Sequence, residues 1–123
     1  MIEHGAKYVV ITSRNPKIDP EWLADVKALG AVVKIIANDI TNRDSVRSVY
    51  KQIWAELPPV GGVAQGAMVL RDTMISDMDL DRVQNVLRPK VDGSIFLDEI
   101  FSEMPLEFFI FLSSSVYVIG NRG

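Results

Sequence analysis

Uninterrupted apolar runs alternate along this chain with stretches whose apolar positions recur every three or four residues. Residues 7–12 read KYVVIT, a β-branched run bounded by polar residues, and predict a buried strand. Asn15-Pro16 breaks that run. Asp19-Pro20 predicts a helix start, with Asp as the N-cap and Pro in the first helical position. Trp22, Leu23, Val26 and Leu29 follow at helical spacing, and Gly30 ends the helix. Residues 31–37, AVVKIIA, predict a second buried strand. Thr41, with Asp44 as its capping-box partner, predicts the next helix start. Val46, Val49, Tyr50, Ile53, Trp54 and Leu57 then lie on one helical face until Pro58-Pro59. Residues 60–70 read as a third strand and the loop after it. Residues 79–87 are expected to be helical, Pro89 to kink or restart the chain, and residues 91–102 to form a further helix. FFIFL, residues 108–112, predicts a fourth buried strand that runs into Ser113-Ser114-Ser115.

The order is β-α-β-α-β-α-β. Continuous apolar strands separated by helices imply an α/β fold with a doubly wound parallel sheet covered on both faces. No repeat or linker divides the 123 residues, so residues 1–123 are read as one structural unit. In such folds ligands bind at the carboxyl ends of the strands. Those ends carry Ser13-Arg14, Asn38-Asp39, Gly66-Ala67 and the three serines, a clustering of small and polar residues.

Composition narrows the chemistry. There is no Cys, and His4 is the only histidine, a helix-end residue on this reading. Disulfides, thiolate nucleophiles and thiolate metal sites are excluded, and a zinc cluster or a Ser-His-Asp triad is not supported. The formal net charge of -3, with the 13 basic residues scattered among 16 acidic ones, argues against a nucleic-acid partner. No apolar run reaches the roughly 18 residues of a membrane span, and Glu3 does not suit a signal peptide. A cytoplasmic protein is the expectation. Trp22, Trp54 and the cluster of Phe108, Phe109 and Phe111 are read as core.

VVITSRN (residues 9–15), NDIT (38–41), VLRD (69–72), LRPKVDG (87–93), FIFLSSS (109–115) and GNRG (120–123) together resemble the ketoreductase domains of polyketide synthases, within the short-chain dehydrogenase/reductase superfamily. The wording is most similar to fungal, highly reducing synthases, including those fused to peptide synthetase modules. The resemblance spans the chain in order, with LRPKVDG and the serine-bearing strand as its most specific parts. It implies a Rossmann-like fold comprising family strands 2 to 5. The glycine-rich loop and first strand are then expected before Met1, and the catalytic Tyr and Asn beyond Gly123. A chain so placed is expected to be inactive and unstable by itself.

The resemblance also implies site residues. Lys90 stands at the family's catalytic lysine, with a solvated helix-start lysine as the alternative, and Ser114 at its serine, with Ser113 and Ser115 as the nearest alternatives and a strand-end serine in a turn hydrogen bond as the plain reading. Ser13 and Arg14 would bind cofactor, Arg14 accommodating the 2′-phosphate of NADPH. A surface arginine paired with Asp19 or Glu21 is the alternative. Asp39 and Ile40 would line the adenine pocket, although Asp39 could equally serve helix entry. Gly66 and Ala67 would let the backbone approach the cofactor. The family's His-Ala-Ala-Gly element is Gln65-Gly66-Ala67-Met68 here, with Met68 in place of a Gly. Asp72 matches the end of a Leu-Asp-Asp element whose middle Asp is Arg71 here; a loop start or turn cap is the alternative.

The implied activity is reduction, with NADPH, of the β-keto group of a thioester tethered to an acyl carrier protein, in concert with other domains of the same synthase. Alternatives are a free-standing short-chain reductase or a non-catalytic Rossmann-like brace. No metal site, nucleic-acid partner or membrane association is expected.

Overall fold

The computed structural model describes residues 1–70 and 74–113. A 3-10 turn, Ile2–His4, precedes β1 (Tyr8–Ser13), α1 (Pro20–Ala28), β2 (Val32–Ala37) and α2 (Arg43–Glu56). Then come β3 (Gly62–Gln65), a second 3-10 turn (Ile75–Asp77), α3 (Leu80–Phe101) and β4 (Phe108–Phe111). All four predicted strands form. The chain divides into two units, one of residues 1–39 and 44–58, the other of residues 40–43 and 59 onward.

In the first unit β1 pairs with β2 in parallel, from Tyr8 opposite Val32 to Ser13 opposite Ala37. α1 connects them and packs on β2. Its start follows from chemistry: the Asp19 carboxylate accepts the Glu21 N–H at 2.9 Å, and Pro20 occupies the position where no amide is needed. Gly30, at φ 78°, follows its end. Val26, Ala31, Val46 and Val49 are the buried apolar residues of this unit.

In the second unit β3 pairs with β4 in parallel, from Gly62 opposite Phe108 to Gln65 opposite Phe111. The Asp79 carboxylate caps α3 by accepting the Arg82 N–H at 2.8 Å. The segment 40–43 belongs to this unit. Its Arg43 guanidinium pairs with Glu99 at 2.8 Å and lies 5.0 Å from the centroid of the Phe96 ring.

The structure corrects the sequence reading in four places. Pro89 neither restarts nor divides the helix, because α3 runs through it for 22 residues. A proline forfeits one helical amide, a local loss that the turns on either side tolerate. α2 begins at Arg43 rather than Thr41. The strands are less buried than expected, since among the described residues the helices pack mainly on β2 and β3 and leave side chains of β1 and β4 open: Ile11, Ile110 and Phe111 are exposed. Trp54, 61% exposed, and Trp22, 41% exposed, are surface residues rather than core. Trp54 instead stacks obliquely on Tyr50, with ring centroids 5.9 Å apart.

Candidate functional site

At the carboxyl end of the first pair of strands, the Ser13 carbonyl accepts the Asn38 N–H at 2.9 Å, which ties the two tips together. Asn38 is buried, and its side-chain oxygen accepts from the Ser45 hydroxyl at 2.8 Å. The same hydroxyl oxygen accepts the Asp39 N–H at 3.1 Å. Ser45, in the first turn of α2, therefore fixes the backbone where the chain leaves β2. Asp39 is placed by this arrangement at a partly exposed position beyond the strand.

Ser13 and Arg14 are both exposed. Arg14 forms no ion pair among the described residues. The surface pairing with Asp19 or Glu21 does not occur, and the Asp19 carboxylate is turned to its capping role. An exposed guanidinium without a counter-ion can take a phosphate bidentately.

At the carboxyl end of the second pair, the Leu112 N–H donates to the Gln65 carbonyl at 2.9 Å and extends the ladder by one bond. Gly66 and Ala67 follow β3, Gly66 exposed and Ala67 partly so. Met68, where the family pattern has Gly, is 59% exposed and so presents a thioether chain beside this tip. Lys90 projects from α3, and its ammonium donates to the Leu112 carbonyl. Ser113 is the next residue and is exposed. Ser114 and Ser115 lie outside the described residues, as do Arg71, Asp72 and the GNRG tail.

Ile40 does not stand free. Its Cγ1 lies 2.6 Å from where a Cβ on Gly93 would be, so the Ile40 side chain rests on α3 at the glycine of LRPKVDG. Ile40 keeps part of its surface accessible in that position.

Three residues matter here to which sequence reasoning gave no role. Gln65 is only 5% exposed and uses both ends of its amide: the oxygen accepts the Ala67 N–H at 2.8 Å and the nitrogen donates to the Pro89 carbonyl at 2.7 Å. A glutamine inside a strand that points to the core was the available signal. Asn38 and Ser45 carry the other tip, and only Asn38 had a strand-end position to mark it.

Taken by its own tip, each unit offers a distinct chemistry. The first presents an uncompensated cation; the second presents an ammonium held at the carbonyl of Leu112, next to the end of β4. Among the described residues no group of His, Asp and Glu side chains could hold a metal, and no helix is long and apolar enough to cross a membrane.

Comparison with known proteins bears directly on this arrangement. The KR domain family model matches residues 1–123. The chain is 66% identical over 123 residues to the polyketide synthase–nonribosomal peptide synthetase phmA of Phaeosphaeria nodorum and 65% identical to ffsA of Aspergillus flavipes. In each case the match covers 100% of this chain and 3% of the relative. Among solved structures, a ketoreductase domain from the bacillaene assembly line superposes with a TM-score of 0.89 at 29% identity, over 99% of this chain and 30% of that one. A-type ketoreductases from a modular polyketide synthase give 0.86 at 30% identity, over 99% and 26%. The chain thus spans a small part of the curated relatives and about a quarter to a third of these solved domains. With parallel strands, a lysine docked on the Leu112 carbonyl just past β4 and a family match along its whole length, this chain belongs to the ketoreductase domains of polyketide synthases, in the form found in fungal hybrids with peptide synthetases.

Proposed function

We propose that this chain contributes the Lys90 and Ser114 side of a ketoreductase site that reduces the β-keto group of an acyl-carrier-protein-bound thioester to a hydroxyl. The observation that carries the proposal is the docking of the Lys90 ammonium on the Leu112 carbonyl, at the root of Ser113-Ser114-Ser115. The other domains of the parent synthase would deliver and accept the tethered chain.

The residues fit NADPH as the reductant. Arg14 offers an exposed, uncompensated guanidinium for the 2′-phosphate. Ser13 neighbours it in sequence, Asp39 and Ile40 follow β2, and Gly66 and Ala67 follow β3 with side chains small enough for a cofactor to approach the backbone. When bound, NADPH supplies a hydride to the carbonyl carbon. Negative charge then grows on the carbonyl oxygen, and hydrogen-bond donors aimed at that oxygen lower the barrier. The Ser114 hydroxyl donates without bringing a competing charge. Lys90 adds positive charge and orients the groups that move the proton to the oxygen. In the family that proton comes from a tyrosine.

The test uses the intact synthase with a β-keto thioester, following NADPH consumption and formation of the β-hydroxy product. The proposal expects both in equal amounts. NADPH consumption that is absent with the thioester, or that yields no hydroxyl product, overturns it.

A further inference from the structure

Gln65 stands outside the catalytic set just described, yet both ends of its buried side-chain amide are committed beside it. Its main-chain oxygen holds β4 through the Leu112 N–H at 2.9 Å. Its side-chain oxygen holds the loop after β3 through the Ala67 N–H at 2.8 Å. Its side-chain nitrogen holds α3 through the Pro89 carbonyl at 2.7 Å. Pro89 immediately precedes Lys90, and Leu112 is the residue whose carbonyl receives the Lys90 ammonium. One residue therefore anchors both ends of the lysine's connection, the backbone from which it projects and the strand on which it lands.

The site is built around this amide. A Cβ at position 93 would lie 3.2 Å from Gln65 Nε2 and 2.6 Å from Ile40 Cγ1, so the glycine leaves the room that the amide and Ile40 occupy. Each function of the amide is used once, the nitrogen as donor and the oxygen as acceptor, and 5% exposure leaves water little chance to replace either bond. Hydrogen bonds in so buried a setting fix geometry closely, because an unmade bond there costs the desolvation of the group left behind.

We infer that Gln65 is a positioning residue for the ketoreductase reaction, locking the Lys90 turn of α3 to the tips of β3 and β4 so that the ammonium is held at the Leu112 carbonyl. This inference rests on the proposed function. A displacement of about 1 Å at a catalytic group can cost on the order of 100-fold in turnover. Loosening this joint should therefore act on turnover while leaving the Arg14 end of the cofactor site alone.

The test compares wild type, Gln65→Leu, Gln65→Asn and Gln65→His in the intact synthase. Each is assayed for kcat and KM with a β-keto thioester, and for NADPH binding by titration. Leucine removes both hydrogen bonds; asparagine keeps the amide on a shorter stem; histidine restores one donor and one acceptor. The expected result is a fall in kcat of about 10- to 100-fold for Leu and Asn. Thioester KM stays near wild type, NADPH affinity falls much less than kcat because only the Ala67 N–H on the cofactor side loses its partner, and His recovers much of the loss. Unchanged kcat in both Leu and Asn overturns the inference. So does a parallel loss of kcat and NADPH binding in both, which marks a purely structural residue. A wild-type synthase that reduces no thioester overturns the proposed function and this inference with it. A wild type that reduces, a Lys90→Ala variant that does not, and Gln65 variants that do, overturn this inference alone.

Discussion

The Lys90 ammonium donates to the carbonyl of Leu112, one residue before Ser113 and two before Ser114. The two residues lie 22 positions apart in sequence, on a helix and at a strand end, and only the fold brings them together. A lysine left in solvent would have no reason to choose that carbonyl. Replacing Lys90 with Ala in the intact synthase should lower kcat with a β-keto thioester by about 100-fold or more, the scale of a lost catalytic donor. NADPH titration of the same variant should stay within a few-fold of wild type, and an equal loss in both would argue against the assigned role.

Arg14 should act on the cofactor and not on the chemical step. Arg14→Ala is expected to weaken NADPH binding by about tenfold, or about 1.4 kcal/mol, the order of one charge-assisted contact. NADH binding should change little, because its ribose carries no 2′-phosphate. Titration with both cofactors checks this, and equal loss for the two would remove the phosphate from the account.

Close approach at two glycines gives a structural prediction. A Cβ at Gly93 meets Ile40 Cγ1 at 2.6 Å, and one at Gly62 meets the Phe108 ring at 2.3 Å. Gly62 and Phe108 face each other across β3 and β4, so the ring covers the glycine. Alanine at either position should destabilise the ketoreductase domain by about 1–3 kcal/mol, the usual cost of overpacking. Thermal or urea unfolding of the intact domain measures it. Gly93→Ala should also lower turnover, since it presses on Gln65; Gly62→Ala should spare it.

The cap at Asp19 is a milder test of the fold. Its carboxylate accepts one backbone N–H at an exposed helix start, and Asp19→Ala should cost about 1 kcal/mol. Urea unfolding of the same domain reads it, with no change expected in kcat.

The apolar burial within each unit is thin. Val26, Ala31, Val46 and Val49 in one and Phe101 in the other are the buried apolar residues described, while Trp54, Leu70, Met74 and Leu80 are well exposed. Burying a large apolar side chain contributes about 1.5–3 kcal/mol, against roughly 1–2 kcal/mol per residue for ordering the backbone. The 123-residue chain by itself should show no cooperative thermal transition and should bind a hydrophobic dye. A sharp transition from a monomer would contradict this.

Much of the architecture was legible because it is local. Three β-branched or aromatic runs and one stretch of small and apolar residues became four strands, and Asp19-Pro20 opened α1 where capping chemistry places it. Pro89 misled, because the cost of one missing amide is local while the support for α3 comes from its neighbours, Gln65 among them. Trp54 misled for the same reason in reverse: helical spacing names a face, but not how far the covering layer extends. At the site, the lysine and the strand tips could be named from motif and strand ends. The Gln65 joint could not, since its partners lie 24 residues along the chain and at a loop amide, and no short spacing records such a bond.

A double-mutant cycle in the intact synthase tests the shared role of Lys90 and Ser114 most directly, measuring kcat for β-keto thioester reduction in Lys90→Ala, Ser114→Ala and the pair. If both side chains serve one developing oxyanion, each single change removes most of the rate and the double variant is little worse than either. Full turnover in Ser114→Ala, or two losses that simply multiply, would contradict it.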